Sequence, residues 1–281
     1  TGSGRYLTGD FVGADVVVNE ITAQARAAVF LDPEVDTVFE IGGQDSKYIA
    51  LEDGVVVDFE MNKVCAAGTG SFLEEQAELL GTSIQEFGRL ALSARHPVDL
   101  GERCTVFMHS NLVNALQRGA DRADLAAGLC YSVALNYLNR VVGRRRVGQR
   151  VLFQGGTAAN PGVVAAFRQL LGREVIVPPH HEVTGAIGAA LLARSASPRR
   201  SAFRGFELAE RPYRLVSFTC QHCPNACEIN RLELEGRVLT YGGRCERHER
   251  RQEQAGAGPD LFEERRRALH RGIDPERPGP P

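Results

Sequence analysis

Apolar positions along this chain fall into short runs and helical stripes, divided by glycine turns. Glu20 to Phe30 (EITAQARAAVF) reads as a helix, and Val35 to Ile41 as an apolar strand that ends in Gly42-Gly43. Ser46 to Leu51 and Val55 to Met61 read as two strands joined by Glu52-Asp53-Gly54, a hairpin turn signal. Ala66 to Leu80, Thr105 to Arg118 and Leu125 to Val142 read as helices. Arg150 to Gln154 is a short strand meeting Gly155-Gly156; Asn160 to Leu171 is a helix and Glu174 to Val177 a strand. Thr184 to Ala193 is a helix of small residues suited to close packing. Ser195 to Ser201 is a polar, proline-containing linker, followed by a Cys-rich, strand-rich segment over 213–247 and a charged tail. The opening Thr1-Gly2-Ser3-Gly4 reads as a turn inside a longer protein.

Composition narrows the class. The chain is 43% hydrophobic and 24% charged, ordinary for a globular protein. Its 33 basic and 35 acidic residues give a net charge of −2, which provides no excess of positive charge for nucleic acid or an anionic membrane. No apolar run is long enough to span a bilayer, so a cytoplasmic protein is expected.

Two glycine junctions follow strands. In Ile41-Gly42-Gly43-Gln44-Asp45 the backbone can approach a phosphate and successive N–H groups can form an anion nest. Asp45 and Glu40 offer carboxylates to Mg²⁺, directly or through water. Gln154-Gly155-Gly156-Thr157 is the second junction. Each alone is equally a tight turn; as a pair they suit folds that clamp a nucleotide between such turns. Neither is a P-loop or a dinucleotide fingerprint.

Seven cysteines are unlike a disulfide set in an intracellular chain. Cys65 and Cys104 each stand just before a predicted helix, where the dipole and free N–H groups stabilise a thiolate. They suit metal ligation, or else are two inert thiols. Cys130, mid-helix among apolar residues, reads as core. Cys220, Cys223, Cys227 and Cys245 supply four thiolates from two short loops, the count of a Cys₄ zinc site or an iron–sulfur site. Structural zinc is the favoured occupant, with a second iron–sulfur site or bare thiols as alternatives.

FEIGGQDSKY (39–48), MNKVCAAGTGSFLEEQAELLG (61–81), CTVFMHSN (104–111) and QGGTAANPGV (154–163) resemble the 2-hydroxyacyl-CoA dehydratase activators, the BadF-type ATPase family. The resemblance runs over residues 1–194, with CAAGTG its most specific motif. It implies an α/β, actin-like ATPase fold of the sugar kinase, Hsp70 and actin superfamily. It also implies a homodimer holding one [4Fe-4S] cluster, ligated by Cys65 and Cys104 of each subunit. ATP with Mg²⁺ then drives an electron from the cluster into a dehydratase-type acceptor, with reduced ferredoxin or flavodoxin as donor. Gly42, Gly43, Gln44 and Asp45 would face the phosphates, Gly155, Gly156 and Asn160 would border the nucleotide on the far side, and Asp45, Gln44 and Glu40 would serve the ATPase chemistry.

The chain departs from the family pattern in three ways. The family's first phosphate-binding hairpin precedes the segment that begins at Thr1, so an N-terminally incomplete domain and weak ATP binding are expected. Glu40 stands where Asp is usual, and Gln24 where His is usual, which removes any acid–base role there. The expected organisation is an activator domain over 1–194, a linker over 195–212, a Cys-rich metal-binding module over 213–250 and a disordered tail over 251–281. Two other functions compete. One is a small-molecule kinase on the same fold, which needs no cysteine at either helix start; the other is a non-catalytic metal-binding fragment.

Overall fold

The structure, a computed structural model, describes residues 1–62, 66–198, 200–245, 247–248 and 265. The expectations for Cys65, and for all of the tail except residue 265, lie outside the described residues. The chain divides into two units, residues 1–205 and 206–281. The first unit thus extends past the expected boundary at 194. Residues 201–204 are tied back to it: the Arg204 N–H donates to the Val12 carbonyl at 3.0 Å, and Asp15 accepts from Ser201 and Ala202.

The first unit is built on β1 (Thr37–Ile41), β2 (Ser46–Glu52), β3 (Val55–Met61), β4 (Val151–Gln154) and β5 (Val175–Ile176), in the sheet order β3-β2-β1-β4-β5. β1 pairs antiparallel with β2 and parallel with β4, placing Glu40 opposite Lys47 on one side and Gln154 on the other. Asp53 and Gly54 both have positive φ, the geometry of the predicted hairpin turn between β2 and β3.

All five residues of β1 are buried, because both faces of the sheet are covered. The period of two separates them. Val38, Ile49 and Leu152 pack with Ile21, Ala25 and Ala28 of α2 (Glu20–Leu31). Phe39, Ile41, Tyr48 and Phe153 face the other way, into a core shared with α6 (Arg122–Tyr137) and α7 (Pro161–Leu171). Phe39, Tyr137 and Phe167 meet there with ring centroids 5.0–5.6 Å apart. On the α2 side, α8 (Thr184–Ala196) approaches so closely that a Cβ on Gly188 would stand 1.8 Å from the Ala23 carbonyl oxygen. This is the close packing expected of its small residues.

Two helices stand outside the elements predicted from the sequence. α1 (Arg5–Val12) is only eight residues long. α4 (Ile84–Leu92) opens on Ser83, which accepts from the Glu86 N–H while its hydroxyl reaches the Glu86 carboxylate. Ser-Ile-Gln-Glu has the spacing of a capping box, of which the Ser83 side-chain leg is formed. The helix expected over 66–80 is interrupted: a 3₁₀ turn at Ala66–Gly68 precedes α3 (Gly70–Leu79). The helix expected over 125–142 begins earlier, where Asp121 caps it, and its last stretch, Leu138–Val142, widens into a π-helical turn. α5 (Thr105–Gln117) lies as expected.

The second unit is an antiparallel sheet of β6 (Arg214–Thr219), β7 (Glu228–Leu234) and β8 (Arg237–Tyr241). Glu235 and Gly236, both at positive φ, close the β7–β8 hairpin. No described helix is long and apolar enough to cross a membrane.

Candidate functional site

The two glycine junctions emerge side by side from the C-terminal ends of the parallel neighbours β1 and β4. In open α/β sheets that edge is where ligands bind. Gly155 has φ +93, and a Cβ there would stand 2.4 Å from the Ile41 carbonyl oxygen. Its N–H donates to the His181 carbonyl at 2.8 Å, and the His181 ring lies 3.0 Å from its own carbonyl. Gly155 is therefore a packing glycine. The Gly42 N–H donates to the Asp45 carbonyl at 2.9 Å and closes the first turn.

Gly43 and Gly156 are different. Both are exposed, neither has positive φ, and a Cβ on either would meet nothing within 4 Å. Neither backbone strain nor packing explains glycine at these positions. Open space beside bare backbone is what the approach of a phosphate requires.

Under the first turn lies a charged cluster. Lys47 Nζ sits 2.8 Å from Glu40 and 2.9 Å from Asp45; the Lys47 and Glu40 side chains are 4% and 6% exposed, against 46% for Asp45. Burial raises the Glu40 pKa, and Lys47 offsets that only in part. Burial alone would lower Lys47, but the two carboxylates outweigh it and hold the ammonium charged. Lys47 thus ties a buried carboxylate to the half-exposed Asp45 at the turn. Sequence reading passed over Lys47. The available signal was a lysine on the same strand face as Ile49 and Leu51, both buried.

The first turn also caps the helix that follows the Cys65 segment. The Gly70 N–H donates to the Gly42 carbonyl, and the Ser71 N–H to the Gly43 carbonyl, both at 2.9 Å. Thr157, from the second junction, bonds the same Gly42 carbonyl at 3.4 Å. Two of the orphan donors that open α3 are satisfied in this way by the glycine turn. On the opposite side of β4, Gln24 accepts from both Gln154 and Thr184 at 2.7 Å. It acts as a fixed acceptor between β4 and α8. Asn160 caps α7 through its Oδ1, and its Nδ2 is buried without a hydrogen-bond partner.

Cys104 is the N-cap residue of α5, partly exposed, and its side chain makes no cap hydrogen bond. A thiol free of local bonds at the start of a 13-residue helix fits the donor set an iron–sulfur cluster needs. Val106 and Phe107 beside it are 67% and 68% exposed. His109 of α5 and the buried Gln76 of α3 meet at 2.9 Å and link the helices that follow the two cysteines. Cys130 is buried, as expected for a core residue, and burial pushes its thiol up to about 12.

In the second unit the expected four-thiolate site is not assembled among the described residues, where no three His, Cys, Asp or Glu side chains converge. Cys223 and Cys245 point to solvent, while the Cys220 N–H donates to the Cys227 carbonyl at 2.8 Å and closes the loop between them. His248 lies 3.3 Å from the Cys220 sulfur.

Comparison with known proteins agrees with this geometry. The model of the BadF/BadG/BcrA/BcrD ATPase family matches residues 1–193. The 2-hydroxyisocaproyl-CoA dehydratase activator of Clostridioides difficile is 38% identical over 194 residues, 69% of this chain and 71% of its own. The (R)-2-hydroxyglutaryl-CoA dehydratase activating ATPase of Acidaminococcus fermentans is 40% identical over 183 residues, 64% of this chain and 69% of its own. A solved structure of the activator of the 2-hydroxyisocaproyl-CoA dehydratase from Clostridium difficile, with bound ADPNP, superposes with a TM-score of 0.65 at 34% identity, covering 71% of this chain and 75% of that one. The fold of the first unit is that of the actin-like ATPases.

Proposed function

The chain belongs to the BadF/BadG/BcrA/BcrD ATPase family, and on that premise we propose that it couples ATP to the delivery of single electrons to a 2-hydroxyacyl-CoA dehydratase or a related reductase. Similarity to activators of such dehydratases supports the acceptor class. The carrier is a [4Fe-4S] cluster shared across a homodimer, with Cys65 and Cys104 of each subunit as ligands; when bound, it supplies one-electron transfer. Four thiolates are needed, and two-fold symmetry doubles the two of each chain. The donor is a reduced ferredoxin or flavodoxin.

One observation carries the coupling: the carbonyls of Gly42 and Gly43 accept the first N–H groups of α3. A phosphate drawn into the open space beside Gly43 competes for the geometry of this turn. Any shift of the turn moves the start of α3, and with it the segment leading back to Cys65. On the nucleotide side, Gly43 and Gly156 give room for the phosphates. Asp45, braced by Lys47, presents a carboxylate to Mg²⁺, and the exposed Gln44 is placed to orient water.

Anaerobic reconstitution with iron and sulfide tests this reading. About four irons per dimer are expected, by the stoichiometry of one cubane. Cys65→Ser and Cys104→Ser should lose the iron, while Cys130→Ser should retain it. ATPase activity without iron in the wild type would favour a kinase-like activity on the same fold.

A further inference from the structure

We propose that Asn136 is a positioning residue that holds the turn after Cys65, Ala66–Gly68, in register with the approach to Cys104; this rests on the cluster reading above. Asn136 lies on α6 and is 4% exposed. Its Nδ2 donates to the carbonyl of Glu102, two residues before Cys104. Its Oδ1 faces Gly68, three residues after Cys65, so closely that a Cβ on Gly68 would stand 3.0 Å from it. A single buried amide thus touches the approach to one cysteine and the turn that leaves the other.

A buried Asn in a helix core is a poor choice for stability alone. It is a weaker helix former than Leu or Ala, and its amide must find partners. What Asn supplies and Leu cannot is a donor that fastens the Glu102 carbonyl to the rigid α6. Gly68 completes the device, because any side chain there would push the amide away. The next residue, Tyr137, donates its hydroxyl to the Lys47 carbonyl at 2.7 Å. Lys47 in turn braces Glu40 and Asp45. Adjacent positions at the end of α6 therefore reach Gly68 and Glu102 on one side and β2 on the other, just before the π-helical turn at Leu138–Val142.

The test is selective alkylation, read by mass spectrometry on the full chain. In cluster-free Asn136→Ala, Cys104 should react with a maleimide about fivefold faster than in the wild type, the factor expected for one lost hydrogen bond. Cys130 should react at the wild-type rate. In reconstituted protein, a chelator should strip iron faster by a similar factor. A rise shared by Cys104 and Cys130 would mean general loosening and would overturn the assignment, as would no rise at all. If Asn136→Ala does not fold, Gly68→Ala should give the same Cys104-selective rise, and an unchanged rate there refutes the proposal. Failure of the cluster reading looks different: Cys104→Ser then keeps its iron, while the alkylation arm still decides the role of Asn136.

Discussion

The N–H of Gly70 donates to the carbonyl of Gly42 at 2.9 Å. One end of this bond belongs to the turn proposed to hold phosphate, and the other to the helix that follows the Cys65 segment. No relay of side chains is needed to connect the two.

Gly70→Ala should damage this contact. A Cβ would stand 2.9 Å from the Thr157 hydroxyl and 3.2 Å from the Gly42 carbonyl oxygen. Ala at a helix start is otherwise harmless, so a loss of about 1–3 kcal/mol would report overpacking between the turns. Denaturant unfolding measures it, and a wild-type midpoint would refute the contact.

Gly43→Val should do the opposite. Nothing lies within 4 Å of its Cβ position, so stability should stay within about 0.5 kcal/mol of wild type. MgATP binding, followed by calorimetry, should be lost. A variant that is destabilised yet binds ATP normally would make Gly43 a packing glycine like Gly155.

Lys47→Met leaves Glu40 buried without its cation. Removing one partner of a buried pair costs about 3–5 kcal/mol. The double variant Glu40→Leu/Lys47→Met should regain much of that loss, because neither charge then remains buried. Urea midpoints of the wild type, the two single variants and the double variant test this; additive losses would contradict it.

Gln24→Ala removes the acceptor shared by Gln154 and Thr184, both buried. Each donor then keeps only a longer contact, Gln154 to the backbone carbonyl of residue 24 at 3.5 Å and Thr184 to the His181 carbonyl at 3.4 Å, so the protein should be destabilised by about 1 kcal/mol. Gln24→Glu, which keeps the acceptor oxygen, should lose less. Equal effects in a thermal melt would remove the hydrogen bonds from the explanation.

Cys130 makes stability depend on alkaline pH. Its folded pKa is raised from 9.0 to about 12. Between these values the unfolded thiol ionises while the folded one keeps its proton, so the unfolded state binds fewer protons. The contribution is fully present below pH 9 and is lost as pH rises towards 12. The slope is about 1.4 kcal/mol per pH unit for one proton. Cys130→Ala should flatten the dependence of unfolding free energy on pH over that range by about one proton.

Much of this protein was legible in its sequence. The strands around Ile41 and Gln154, their glycine ends and the hairpin at Asp53-Gly54 all depend on local pattern and turn chemistry, which one segment can express by itself. The motif CAAGTG identified the family, and Cys104 stands at the helix start where it was expected. The sequence did not separate glycines that pack, such as Gly155, from glycines that face open space, such as Gly43. That distinction belongs to neighbours far along the chain. The same holds for Lys47, whose partners lie on and beside another strand, and for Asn136, which meets Gly68 and Glu102 only once α6 is packed. Tertiary structure decided these roles because a buried polar group takes its function from the partner that satisfies it, and packing of the whole domain selects that partner.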